Sequence, residues 1–242
     1  MTDQAARQKA QNIVRSQLDL RSEQFLGIRR DEELEQDLAA IVGGLAGSEF
    51  IYRVSQAGDE IKDHAVVHHM VMDNDPTYLV AVSPVDGSVY RIQGFRDSKV
   101  EFNNLMLAVK VTISSPDQAE ALADFFRTVN PEHHSMTRIS GLLDLKQAAE
   151  RQCQAVPFDP NEKDFEAWWK HTKPLYEKVP FDQTATRSGS GYVVEWIVLS
   201  AEGPGLCGGA PLRVMLEVGT NGEIGKLTFI PLKVLAPTNR FN

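Results

Sequence analysis

The chain has 242 residues, 42% hydrophobic and 24% charged, a balance that folds rather than stays disordered and that fills one large domain or two of ordinary size. Its formal net charge of −8 argues against a general nucleic-acid binder or a protein drawn to anionic membranes. No run of about 18 apolar residues occurs, so no helical membrane span is expected.

The charge is lopsided: residues 1–125 carry 12 Lys and Arg against 20 Asp and Glu, whereas residues 126–242 carry 13 of each. A solvated acidic surface explains this, and a docking face for a basic partner is the sharper reading. MTDQAARQKAQ lacks the apolar core of a signal peptide. A native Met1 then implies the cytoplasm, and a removed leader would imply the envelope or export. Cys153 and Cys207 are the only cysteines, too few for a disulfide framework or a cysteine zinc site. One bridge and two free thiols both stay open.

Residues 3–20 favour a helix, with Ile13, Val14, Leu18 and Leu20 as a partial apolar stripe. Asp31 to Val42 predicts a second: acids load the first turn, which suits the positive end of the dipole, and Leu34, Leu38, Ile41 and Val42 form the apolar face. Gly43-Gly44 ends it. Strands are expected at 49–54, 65–72, 78–82 and 88–92, the last two joined by a turn at Pro84-Val85-Asp86-Gly87. The alternation of Leu105, Leu107, Val109, Val111 and Ile113 predicts a strand over 102–113. Ser115 as cap and Pro116 at the first position then open a helix to about Val129, with Ala121, Leu122, Phe125 and Phe126 toward the core.

Asn130 to Met136 reads as a polar connector and a domain boundary. A helix follows at 142–153, a loop at 157–162, and a short helix at 164–171 that Pro174 terminates. Residues 180–191 read as a surface loop. Gly191 to Pro231 then organises the second half: three strands, joined by the glycine-rich loop 203–209 and by a tight turn at Asn221-Gly222. A loose tail follows from Pro237.

This last stretch has an earlier echo. Residues 65–72 align with 192–199 at an offset of 127, and 86–92 with 221–227 at an offset of 135. Leu18-Asp19-Leu20-Arg21 matches Leu143-Asp144-Leu145-Lys146 at an offset of 125. Three matches in one order suggest a duplicated unit. The expected fold is α+β, in two similar halves covering residues 1–130 and 131–242, each with helices on a curved antiparallel meander.

Residues 34–93 run helix, strand pair, strand and Asp-Gly turn, then a further strand. In that order, and in Val82-Ser83-Pro84-Val85-Asp86-Gly87-Ser88-Val89-Tyr90, the chain resembles the PepSY-type module. The second half keeps Asn221-Gly222-Glu223-Ile224 of that text, and the plan is also similar to cystatin-like folds. The resemblance implies a helix-plus-meander architecture, the cell envelope and a part in peptidase regulation.

Candidate chemistry is sparse. His64 and His68 share a strand face, but strand residues four apart lie roughly 13 Å apart, beyond joint chelation of one metal. His133 and His134 fall in the connector, so no metal site and no cofactor are expected. Glu195 interrupts an apolar strand, sharing a face with Val193, Ile197 and Leu199, while Tyr192, Val194, Trp196 and Val198 take the other. A carboxylate there pairs with a base such as Arg213 or Lys226, or serves as a general acid or base. Cys207 sits in a glycine-rich loop that lacks the Gly-Lys-Ser/Thr ending of a phosphate loop. Trp168 and Trp169 point about 100° apart on their helix, so one packs on the meander and the other is free to anchor a partner.

Two functions are weighed. The first is a non-catalytic binding or regulatory module for a protein or small-molecule ligand, using Trp168, Trp169, Glu195, Trp196 and Cys207, with no nucleic acid. The second is a small-pocket hydrolase or isomerase using Glu195 as acid/base with a histidine, which requires Glu195 to face a concave cavity with a second titratable group within about 3 Å of it or of a bridging water.

Overall fold

The computed structural model describes residues 1–17, 26–42, 50–56, 77–129, 137–155, 165–200 and 210–232. The expected strand at 65–72, the connector at 130–136, the loops at 157–162 and 203–209 and the tail from 237 lie outside these residues. The chain is α+β, with helices and two antiparallel sheets. It divides into two compact units. The first comprises Met1–Ser114, Ala121–Pro131 and Thr220–Glu223; the second comprises Ser115–Glu120, Glu132–Gly219 and Ile224–Asn242.

The first unit begins with α1 (Asp3–Gln17), β1 (Leu26–Arg30) and α2 (Glu32–Val42). It continues through β2 (Phe50–Gln56), β3 (Thr77–Val82), β4 (Val89–Gln93) and α3 (Ser98–Ala108). The strands form one antiparallel meander in the order β1-β2-β3-β4. β3 is covered on both faces, with Leu79, Val80, Ala81 and Val82 all buried. On one face, Tyr52, Tyr78, Val80 and Val82 pack with Phe95 and with Ala6, Ala10 and Val14 of α1. These α1 positions recur every four residues, so the seam is made of small side chains, which brings the helix close to the sheet.

The expected α2 face holds, since Leu34, Leu38 and Ile41 are all buried. The strand paired with β3 is β2, through six register pairs.

Two polar arrangements brace this unit. Glu35, at the start of α2, accepts from Arg30 Nε at 2.8 Å, from Arg30 Nη2 at 2.7 Å and from the Ile51 backbone N–H at 2.9 Å. The Arg30 guanidinium also lies over the Phe50 ring, 4.4 Å from its centroid. The fully buried Tyr52 donates its hydroxyl to Asp3 Oδ1 at 2.7 Å, tying α1 to the sheet.

The β3–β4 turn is an Asx-Gly turn. Gly87 has φ +75°, and Ser88 N–H donates to Asp86 Oδ1 at 2.9 Å. That bond holds the Asp86 carboxyl below the usual carboxylate range.

Residues 102–113 do not form the expected strand. They hold the end of α3 and the segment after it. Phe102, Leu105, Met106 and Val109 are buried at helical spacing, whereas Leu107, which fits the strand alternation, is 54% exposed. α3 closes on Lys110 at φ +55°, with Val111 N–H donating to Met106 O at 3.1 Å, a left-handed helix cap. Phe102 packs against Phe125 and Phe126 of α4 (Pro116–Val129), with ring centroids 5.9 and 5.1 Å away. Ser115 caps α4 by accepting from Gln118 N–H at 3.3 Å, as expected. Its buried face is Ala119, Leu122, Ala123, Phe125 and Phe126; Ala121 is exposed, one position off the expected stripe.

The second unit holds β5 (Thr137–Ile139), α5 (Leu142–Ala155), α6 (Phe165–Tyr176), β6 (Thr184–Ser188), β7 (Gly191–Ser200), β8 (Ala210–Gly219) and β9 (Ile224–Pro231). β7, β8 and β9 are the expected strands. The turn at Asn221-Gly222 repeats the first one: Gly222 has φ +77°, and Glu223 N–H donates to Asn221 Oδ1 at 3.2 Å.

Two expectations are corrected. Residues 184–188 are a strand, not loop, paired with β7 from Thr184↔Glu195 to Ser188↔Gly191. Pro174 lies inside α6 rather than ending it. Pro174 removes the N–H that would pair with the Lys170 carbonyl, and Lys170 is an exposed residue near the end of the helix.

Candidate functional site

β7 pairs with β8 over its full ten residues. Its other edge is shared by two short strands laid end to end. β6 covers Gly191 to Glu195, and β5 covers Ile197 to Leu199. Trp196 falls at the break between them. A cleft of about 80 Å³ opens beside this break, lined by Pro180, Asp182, Thr184, Glu195, Trp196, Ile197 and Arg213.

The two faces of β7 differ, as the alternation predicts. Tyr192, Val194, Trp196 and Val198 are buried on one. On the other, Ile197 and Leu199 pack with Ile139, Leu145, Ala148, Ala149, Phe165, Trp169 and Tyr176, beneath α5 and α6. Val193 and Glu195, nearer the start of the strand, are only partly buried. Thr184 stands directly across from Glu195 on β6, and Met215 across from it on β8. Arg213 is its diagonal neighbour, with Nη1 3.8 Å from Glu195 Oε2 and side chains 38% and 34% exposed. Of the two bases expected near Glu195, Arg213 is the one that meets it. A pair this exposed contributes about 0.2–1 kcal/mol to stability.

The remaining sequence candidates separate. Trp169 is 8% exposed and belongs to the core under α6, so its indole packs on the sheet. Trp168 lies in α6, with its side chain outside the described residues. Trp196 is buried and is among the residues that line the cleft. Cys207 lies outside the described residues.

Asp182 and Thr184 went unread because their segment looked like loop. The signal was the alternation Thr184-Ala185-Thr186, two β-branched residues around a small one, closed by Ser188-Gly189.

The cleft, at about 80 Å³, is well below the roughly 300 Å³ at which small-molecule pockets begin. It holds two carboxylates, one guanidinium and a hydroxyl, so its formal charge is negative. Such a site takes the end of a group rather than a whole molecule. The neighbour that Glu195 meets is a guanidinium, which holds a charge in place and does not relay a proton.

No family model matches the chain, and no curated protein or solved structure matches it.

Proposed function

We propose that the chain is a non-catalytic binding or regulatory module whose second unit receives a small cationic end group, an ammonium or guanidinium, from a protein or small-molecule ligand. The observation that carries this reading is the half-exposed Glu195–Arg213 pair set with Asp182 in one small cleft. An incoming cation exchanges places with Arg213 on Glu195 while Asp182 balances the added charge. The regulatory side of this reading rests on the resemblance of residues 34–93 to the PepSY-type module, whose helix-and-meander plan the α2, β2, β3, β4 order of the first unit shares.

The test is a backbone-amide NMR titration with a short lysine peptide and, separately, a glutamate peptide. Amides of Thr184, Glu195 and Arg213 should shift with the first alone, and Glu195→Gln should abolish the shift. No shift at these residues with millimolar lysine peptide would refute the reading.

A further inference from the structure

β6 is a five-residue strand on the outside of the second sheet, with a mostly exposed sequence, Thr-Ala-Thr-Arg-Ser. One side of it pairs with β7. A strand's backbone groups alternate sides, so every second residue turns its N–H and C=O away from that partner. Ala185 is such a residue, because its N–H donates to Glu120 Oε1 at 2.9 Å. Glu120 stands in the first part of α4, and Gln183 Nε2 donates to its backbone carbonyl at 3.3 Å, which fixes the carboxylate's approach. By the same period, Arg187 turns its backbone groups the same way as Ala185.

Outward N–H and C=O groups on a sheet rim are a template for another strand. We propose that Glu120 is a guard on this rim: its carboxylate occupies the Ala185 N–H that an added strand needs, and releasing it opens β6 to the β6 of a second copy of this chain.

The occupant follows from the register. An antiparallel two-fold pair centred on Thr186 sets Ala185 opposite Arg187 of the other copy, and Arg187 opposite its Ala185. The four outward N–H and C=O pairs then meet. No arginine faces an arginine across the pair, and the exposed threonines are strong strand formers. With Glu120 in place, the carboxylate fills the space of the incoming carbonyl at Ala185, and half of the ladder is lost.

Glu120→Ala removes the guard. Glu120→Lys removes the acceptor but keeps a helix-forming stem. Both should raise the mass in sedimentation velocity at high concentration, from the wild-type value toward twice the 26.9 kDa of one chain. Adding Ala185→Pro should reverse the rise, since it deletes the outward N–H and leaves the β6–β7 ladder intact. A mass unchanged from wild type in both variants, or a rise that survives Ala185→Pro, overturns the proposal. The guard itself is read in the wild-type protein: a carboxylate-bound amide at Ala185 should exchange about ten- to a hundred-fold more slowly than the Arg187 amide. Equal exchange at the two sites overturns it independently of any variant.

Discussion

Replacing Gly222 by alanine is expected to cost about 3 kcal/mol, and replacing Gly87 by alanine about 1 kcal/mol, although the two glycines hold almost the same backbone angle. Their φ values are +77° and +75°, so the left-handed penalty for a side chain, about 1–2 kcal/mol, is common to both. What differs is the space around the new Cβ. At Gly87 it meets the Lys9 ammonium, the far end of a flexible chain whose bond to Gly87 O, 2.8 Å long, is readily exchanged for water.

At Gly222 the Cβ meets Val111 Cγ1 at 2.7 Å and Val111 Cβ at 2.8 Å, with Met106 Cβ at 3.4 Å. Val111 cannot swing away, because its N–H is held by Met106 O in the cap of α3 and Ile113 N–H is held by Thr220 O at 2.8 Å. Forced overpacking adds about 1–3 kcal/mol. At roughly 2–4 °C per kcal/mol for a chain of this size, Gly222→Ala should melt about 4–8 °C below Gly87→Ala. Far-UV circular dichroism is the suitable probe, because all three tryptophans, at 168, 169 and 196, lie in the second unit and Gly222 in the first. Equal losses in the two variants would show that the angle alone matters and that the contact with Val111 does not.

Glu35→Ala should destabilise the first unit by about 1–3 kcal/mol in urea melts, since it removes the acceptor of the Arg30 guanidinium and leaves the Ile51 N–H without its carboxylate; Glu35→Gln, which keeps an acceptor, should lose less. Tyr52 has its pKa raised, first by burial and then by its bond to Asp3. The folded value therefore lies above the unfolded one of about 10, so this contribution is complete below pH about 10 and fades as pH rises beyond it. In a phenolate absorbance titration Tyr52 should ionise only as the fold is lost, and Tyr52→Phe should remove that step; ionisation of all five tyrosines near pH 10 with the fold intact would refute this. Lys110→Gly should stabilise by about 0.5–1 kcal/mol, because φ +55° is unfavourable for lysine and open to glycine; a destabilised variant would count against the strain.

The parts of the fold that were legible are those whose burial has a period. Leu34, Leu38 and Ile41 mark α2, and the alternation in β7 separates Tyr192, Val194 and Trp196 from Val193 and Glu195. Both Asx-Gly turns were legible because only glycine takes their angle without strain. Misreading came where two periods coincide. Leu105, Val109 and Val111 fit an alternation, but Phe102, Leu105, Met106 and Val109 fit a helix, and burial follows the second pattern. β1, β5 and β6 are short, and β6 is mostly exposed, so no apolar rhythm announces them. The cleft was half legible for the same reason: Glu195 and Arg213 stand out in apolar strands, whereas Asp182 and Thr184 belong to a segment whose strand character comes from pairing with β7. The corrected ending of α6 is a matter of solvent, since a proline near an exposed helix end leaves a carbonyl that water can reach.

The seam in the sheet beside Trp196 has a consequence for how this protein can change. A continuous neighbour along β7 would tie every residue of that flank to one register, and an insertion anywhere would displace the rest. Two separate flanking pieces remove that constraint. The link from α6 to β6, which supplies Pro180 and Asp182 to the cleft, can change while the ten-residue β7–β8 ladder stays untouched. The niche at Glu195 can therefore deepen, narrow or alter its chemistry without loosening the scaffold, which marks it as the natural place to graft a new specificity.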